Sequence, residues 1–83
     1  MNVVIVESMF GMFIGEDVSS VFSTKLLNPY RIFENEEGVN FISLGAGLAE
    51  VDKISIKNVL YKKTAASKTI EEYKAALKKD QEA

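Results

Sequence analysis

The chain has 83 residues, enough for one small domain with a single modest core. It contains no cysteine and no histidine, which excludes a disulfide framework, a thiolate metal site and histidine-based acid/base catalysis. The formal net charge of −2 is unevenly spread: residues 1–61 carry four cations against eight anions, and residues 62–83 carry six cations against four anions. An acidic body argues against broad nonspecific binding of nucleic acid and leaves only a local site.

The N-terminal segment, MNVVIVES, has no basic region and only four consecutive aliphatic residues before Glu7. Such a run is too short for a signal peptide or a membrane span. We therefore expect a soluble, intracellular protein that makes no contact with a membrane.

Five short strands are predicted from β-branched and aromatic runs separated by glycine and polar turns. A turn is predicted at Phe10 and Gly11, and a bend at Gly15, where glycine inside a strand indicates a bulge. The last strand begins with alternating apolar residues and changes its buried face near Lys57 and Asn58. The predicted strands span residues 2–7, 11–18, 21–33, 39–47 and 53–63.

Pro29 lies in the middle of the third predicted strand, within LLNPYRIF. Proline cannot donate a hydrogen bond to a neighbouring strand, so it is confined to edges, strand starts and bulges. The sequence therefore predicts a bulge at Pro29, or a backbone nitrogen that faces no partner.

A helix is predicted over about residues 69–80, followed by a charged tail. Thr69 and Glu72 have the spacing of a capping box, and Ile70, Tyr73 and Leu77 follow at helical spacing. Because this apolar stripe is narrow, we expect a loosely packed helix whose removal leaves the strands folded.

Short, bent, antiparallel strands followed by a helix predict a mainly β protein, a small five-stranded SH3-like barrel. An OB-type barrel is the alternative. The predicted organisation is a barrel over residues 1–64 and a C-terminal helix with a charged tail over residues 65–83. A core of this size is marginal for a monomer, so association with further copies of the chain is expected.

The order of VVIVESMFGMFIGEDV, LLNPYRI and ISIKNVLYKK before a helix containing a tyrosine resembles small cyanophage proteins with the Sm-like fold. The resemblance covers nearly the whole chain. It implies an Sm-like barrel over residues 1–64 and a homo-oligomeric ring of roughly five to seven subunits. In that ring the fourth strand of one subunit pairs with the fifth strand of the next. It also implies a phage origin and the cytoplasm of an infected bacterial cell.

Two Sm-type signatures guide the choice of site residues. In the first, Gly15 stands for the glycine before a bend, but the loop over residues 19–25 has no matching asparagine. Thr24 and Lys25 fall nearest to its position. The second signature, an aliphatic residue, a basic residue, glycine and a polar residue, is matched by the run from Ile56 to Val59 with the glycine missing.

The predicted nucleic-acid site comprises an aromatic residue that can stack on a base and polar or basic residues that can meet a phosphate or a base edge. Lys57 and Asn58 are alternatively a solvated bend, and Phe22 beside Val21 is alternatively a core residue. The paired carboxylates at residues 36–37 and 50–52 are interpreted as solvated turns. The site residues are Phe22, Thr24, Lys25, Lys57 and Asn58.

Two functions stay open at this stage. The resemblance implies a ring that binds single-stranded RNA or DNA and takes part in nucleic-acid processing or regulation. The acidic body favours instead a structural or assembly adaptor ring of a phage that binds protein and no nucleic acid. Catalysis is not expected, since the seven serines have no histidine to activate them. No metal and no cofactor are expected either.

Overall fold

The computed structural model describes residues 2–44 and 53–82. Its six strands are β1 (Val3–Ser8), β2 (Gly11–Asp17), β3 (Thr24–Asn35), β4 (Gly38–Ser43), β5 (Lys53–Ile56) and β6 (Val59–Thr64), and the helix α1 spans Ser67–Glu82. All strand pairs are antiparallel. The predicted mainly β architecture with one C-terminal helix is therefore confirmed. No helix in these described ranges is long and apolar enough to cross a bilayer.

One sheet contains all six strands, in the order β4-β3-β2-β1-β6, with β5 pairing the first half of β3. The long strand β3 therefore has two partners on the same side: its second half pairs β4 and its first half pairs β5. Only Lys57 and Asn58 connect β5 to β6, which pairs β1 at the other end of the sheet. Because two residues span roughly 7 Å, at about 3.5 Å each, the sheet must curl to bring these strands together at one corner. The hydrogen-bonded ladder is not closed, since β5 and β6 do not pair within the described ranges.

The third and fifth predicted strands differ most from the structure. The third begins at Thr24, because residues 18–23 form a loop, and the fifth is broken into β5 and β6 at Lys57 and Asn58. The break falls where the sequence predicts a change of buried face, and Asn58 has a φ of 56° there. All residues of β6 are exposed, so the change of face itself stays a prediction. The turn predicted at Phe10 and Gly11 lies one residue earlier, because Gly11 already pairs with Ser8. The part of the fourth predicted strand over residues 45–47 lies outside the described residues.

The bulge predicted at Pro29 is present. Ile14 pairs with Tyr30 and Glu16 pairs with Leu27, so two residues of β3, Asn28 and Pro29, face the single residue Gly15. Asn28 adopts a φ of 49°, a conformation that asparagine tolerates better than most residues. The missing N–H of proline costs nothing at a position that the ladder skips.

Gly15 is the residue on which this bulge packs. A Cβ atom added there would lie 3.0 Å from the Leu26 Cβ, 3.0 Å from the Leu27 carbonyl oxygen and 3.4 Å from the Pro29 Cα. The sheet can bend here because position 15 has no side chain, which explains why the sequence has glycine inside a strand.

The two faces of the sheet bury two separate clusters. On one face, Val4, Val6, Leu26 and Ile56 pack together inside the curl of the sheet. On the other face, α1 covers a cluster to which Ile70 and Leu77 add partly buried contacts. That cluster consists of Val3, Ile14, Tyr30, Ile32, Ala65 and Tyr73.

Tyr73 makes the helix part of the core, so the expectation of a loosely packed helix is wrong. Its side chain is 0% exposed and lies edge-on to the Tyr30 ring, with 5.8 Å between ring centroids. Its hydroxyl donates a 2.8 Å hydrogen bond to the Asn28 carbonyl of the bulge. Near the other end of the helix, the Tyr30 hydroxyl donates to the Asp80 carboxylate. The two tyrosines thus attach both halves of the helix to β3.

The start of the helix also differs from the prediction. The helix begins at Ser67, two residues before the predicted cap at Thr69, and the Ile70 amide donates to the Ala66 carbonyl at 2.9 Å. The preceding residue, Ala65, is buried and its amide donates to the Val3 carbonyl at 3.1 Å. Attachment of the chain to β1, rather than a capping box, sets the position of the first turn.

Alkaline pH should destabilise the protein, in part through Tyr73. Burial, and secondarily the charge of Glu16, raises the pKa of Tyr73 from 10.0 to about 12. The folded state thus holds the phenol proton more tightly than the unfolded state does, and this contribution is complete below pH 10 and lost as the pH rises towards 12. Urea unfolding across this range should show a smaller loss of stability for Tyr73→Phe than for the wild type. Equal losses would contradict the assignment.

Candidate nucleic-acid interface

A surface groove lies between the loop over residues 18–23 and the junction of β5 with β6. Its volume is about 410 Å³. Two chain segments more than thirty positions apart form its walls, because Thr24 at the start of β3 pairs with Ile56 at the end of β5. The groove is lined by Ser20, Val21, Phe22, Ser23, Thr24, Ser55, Ile56, Lys57 and Asn58.

Serine side chains hold the loop in a defined shape. The Ser19 hydroxyl accepts a 3.0 Å hydrogen bond from the Lys25 amide, which joins the two ends of the loop. The Ser20 amide donates to the Ser23 carbonyl at 3.0 Å, and the Ser20 hydroxyl accepts from the Phe22 amide at 3.2 Å. These bonds form a tight turn whose tip is Val21 and Phe22.

The tip presents two consecutive apolar side chains to solvent. Val21 is 92% exposed and Phe22 is 94% exposed. The interpretation of Phe22 as a core residue is therefore wrong, and its ring is free to stack on a planar group. A phenyl ring beside a polar groove offers the contact that proteins use to hold unpaired bases.

Asp17 fixes the start of the loop. Its carboxylate accepts a 3.0 Å hydrogen bond from the Ser19 amide and forms a 3.0 Å ion pair with Lys62. The hydrogen bonding at Ser19 is the largest cause that lowers the pKa of Asp17 below its usual 3.8, and Lys62 lowers it further. Lys62 is therefore held against Asp17 at the start of the loop.

The opposite wall depends on the backbone of Asn58. Its positive φ of 56° turns the chain sharply, and its carbonyl accepts a 3.1 Å hydrogen bond from the Met9 amide of the β1–β2 turn. This bond ties the junction to β1 and leaves the side chains of Lys57 and Asn58 exposed at the groove. Exposure at a tight turn also agrees with the simpler interpretation of these residues as a solvated bend.

The structure brings together four of the five predicted site residues. Phe22, Thr24, Lys57 and Asn58 line the groove, whereas Lys25 does not. Lys25 pairs with Ser55 and lies on the opposite face of β3 from Thr24, because successive residues of a strand point to opposite faces. Ser20, Ser23 and Ser55 also line the groove, and they were not predicted as site residues. The run SSVFST, with serines on both sides of two apolar residues, is the signal that indicates a hydrogen-bonded tip.

The groove supplies three kinds of contact to a ligand. Phe22 offers an aromatic face, Asn58 offers an amide that can donate to and accept from a base edge, and Lys57 offers a positive charge for a phosphate. Hydroxyl groups of Ser20, Ser23, Thr24 and Ser55 add small donors and acceptors. Among the described residues that line the groove, Lys57 is the charged one, and it contributes a positive charge there in a protein of net negative charge.

Compared with protein families, curated proteins and solved structures, the chain matches none of them.

Proposed function

We propose that this protein is an Sm-like, ring-forming protein of phage origin that binds single-stranded RNA or DNA and acts in nucleic-acid processing or regulation. The observation that carries the proposal is the groove, which gathers Phe22, Thr24, Lys57 and Asn58 from two distant segments. An aromatic face, an amide and an ammonium group side by side match the parts of one nucleotide, its base and its phosphate.

The path of the chain supports an SH3-like, Sm-like barrel. A strongly bent five-stranded barrel needs a sharp corner before its last strand, and the chain has one at Lys57 and Asn58. It also needs strands that bend without clashing, and the bulge at Asn28 and Pro29 over Gly15 allows such a bend. In this proposal β5 and β6 together form the predicted fifth strand, and β4 remains the fourth.

The exposed side chains at both ends of the sheet support a ring. At one end, Ile42 of β4 is 47% exposed and Phe33 beside it on β3 is 46% exposed. At the other end, Leu60 and Tyr61 of β6 are 62% and 40% exposed. An unpaired strand edge flanked by apolar side chains is a template for pairing with another chain. Pairing of β4 with β6 of the next subunit is head-to-tail, and closing it gives a ring of roughly five to seven copies by family analogy.

An adaptor ring that binds protein is the second candidate. The observation that favours it is the β1–β2 turn, where Met9 is 71% exposed and Phe10 is 60% exposed. Exposed methionine and aromatic residues are typical of protein interfaces. If this candidate is correct, Met9→Ser with Phe10→Ser should abolish capture of a protein partner, and the ring should bind no oligonucleotide at any salt concentration.

Replacing the basic and amide groups of the groove should weaken nucleic-acid binding. We expect Lys57→Ala with Asn58→Ala to reduce affinity for an unstructured oligonucleotide by at least about tenfold, equivalent to about 1.4 kcal/mol. Both side chains are exposed, so the melting temperature should change little. Fluorescence anisotropy with labelled RNA and DNA at about 50 and about 200 mM salt measures the effect, since phosphate contacts weaken as salt rises.

A matched control for this measurement is Lys74→Ala with Lys78→Ala, which removes charge from exposed positions on the helix. The control should bind nearly as tightly as the wild type. If the groove variant retains full affinity while the wild type binds, the ligand lies elsewhere and the groove is not the site.

A further inference from the structure

The register of β3 with β5 places two lysines on the outer face of this pair of strands. Lys25 is directly opposite Ser55, and Lys53 is directly opposite Leu27. Residues that pair directly share a face, and alternate residues of a strand share it too. Lys53, Ser55 and Lys25 therefore lie on the face opposite to Leu26, Ile54 and Ile56, which point into the curl of the sheet.

Lys57 continues this row beyond the end of β5. It lies two positions after Ser55, it is exposed, and it lines the groove together with Ser55. The groove and the outer face of β5 therefore meet at these two residues. Lys25, which does not line the groove, is one ladder step away from it, opposite Ser55.

These lysines are available to an anion. Lys53 and Lys57 are exposed and Lys25 is half-buried. Within residues 2–44 and 53–82, the ion pair is between Lys62 and Asp17, and it involves none of these three lysines. Glu16 of β2 pairs with Leu27 from one side, and Lys53 of β5 pairs with Leu27 from the other. Leu27 therefore lies between this carboxylate and Lys53.

We propose that Lys57, Lys25 and Lys53 form a phosphate track that leads a single-stranded nucleic acid out of the groove along the outer face of β5. The track rests on the proposed nucleic-acid function and adds two things to it. It names Lys53 as a binding residue, and it assigns Lys25 a contact with the backbone of the ligand rather than with a base inside the groove.

The spacing of the lysines fits such a ligand. Alternate positions along a strand are about 7 Å apart, so the Lys25–Ser55 pair and Lys53 are one step of that size apart, and Lys57 follows Ser55 two residues further along the chain. Long, flexible ammonium side chains at this interval can each reach one of three successive phosphates of an extended strand. Contacts of this kind carry no sequence information, so the track should raise affinity without changing base preference.

The salt dependence of binding tests the track directly. Each phosphate contact to a single strand contributes about 0.7 to the slope of log affinity against log salt. We expect Lys25→Gln with Lys53→Gln to reduce the magnitude of this slope by about 1.4, for RNA and DNA oligonucleotides of any sequence. The matched control, Lys74→Gln with Lys78→Gln, removes the same charge from the helix and should leave the slope close to the wild-type value.

The possible outcomes separate the track from the groove. A reduced slope in the Lys25 and Lys53 variant, with an unchanged control, supports the track. An unchanged slope, combined with weak binding by the Lys57 and Asn58 variant, overturns the track and leaves the groove in place. Equal reductions in both lysine pairs also overturn it, since only net charge then matters. A wild-type protein that binds no oligonucleotide overturns both proposals.

A single substitution guards against loss of the fold. Lys25 is half-buried, whereas Lys53 is exposed, so Lys53→Gln alone should leave the melting temperature unchanged. We expect it to reduce the slope by about 0.7, half the effect of the pair. A folded Lys53→Gln protein with the wild-type slope would remove Lys53 from the track.

Discussion

Tyr73→Ala should destabilise the protein by about 3–5 kcal/mol, the usual cost of truncating a buried aromatic side chain to alanine. Tyr73 is the largest of the fully buried side chains and contacts Tyr30 in the cluster that α1 covers. Its loss leaves a cavity and removes the donor to the Asn28 carbonyl at the bulge. Since small domains are stable by only about 5–15 kcal/mol, this loss should remove a large part of the stability of the fold.

Two variants of the same helix make the measurement specific. Tyr73→Phe keeps the ring and loses the hydroxyl that donates to the Asn28 carbonyl at 2.8 Å and to the Leu27 carbonyl at 3.4 Å, so we expect a loss of about 1–2 kcal/mol. Lys74→Ala alters the adjacent exposed position and should be nearly neutral. Urea unfolding followed by circular dichroism gives all three values. A Tyr73→Ala protein as stable as the wild type would show that the helix does not complete the core.

Removal of the helix should unfold the strands. The sequence predicts that strands without the helix stay folded, whereas removal of α1 exposes Val3, Ile14, Tyr30 and Ile32 on one face of the sheet. A chain ending at Thr64 should therefore aggregate or remain unfolded. A soluble, folded protein ending at Thr64 would restore the original expectation.

If the proposed ring forms, Leu60→Lys should convert it into monomers. Leu60 is 62% exposed on β6, and the proposed ring places it beside β4 of the next subunit, where Ile42 and Phe33 are also exposed. A lysine at that interface would be desolvated without a partner, and charged residues on edge strands are a common means by which proteins prevent such pairing. Ile42→Lys should act in the same way from the other side of the contact.

Val21→Lys is the matched control for these edge variants. Val21 is 92% exposed, but it lies at the tip of the groove loop and on neither edge of the sheet. The same change of an exposed apolar residue to lysine should therefore leave the subunit number unchanged. Dissociation in all three variants would indicate that added positive charge, and not the position, disrupts the assembly.

The strands could be predicted from sequence because their physical causes are local. The bulge at Pro29 follows from a missing N–H, and the bend at Gly15 follows from a missing side chain. The break between β5 and β6 was visible as a change in the apolar alternation near Lys57. Each of these signals lies within a few residues of the feature that it predicts.

The depth of burial of the helix could not be predicted in the same way. Tyr73 was correctly placed on the apolar stripe, but the stripe does not reveal that its hydroxyl meets a carbonyl of β3, 45 positions away in sequence. The predicted start of the helix was wrong by two residues because the Ala65 amide donates to the Val3 carbonyl of β1 and so fixes where the first turn begins. Contacts between distant segments decided both features.

In the candidate site, too, the individual residues could be predicted from local sequence, whereas the contacts between distant segments could not. Phe22 was named as an aromatic residue able to stack on a base, and Thr24, Lys57 and Asn58 were named from motif resemblance. The pairing of Thr24 with Ile56 brings the two segments into one groove, a long-range contact that the sequence does not show. Lys25 was assigned to the same group, yet strand alternation places it on the opposite face of β3 from Thr24.

The mass of the wild-type protein in solution tests the proposed ring most directly. Light scattering coupled to size exclusion at micromolar concentration should give one species whose mass is roughly five to seven times the 9.2 kDa of the chain. A single species of 9.2 kDa at that concentration would contradict the proposed ring, because the outer edges of β4 and β6 would then not pair with another subunit.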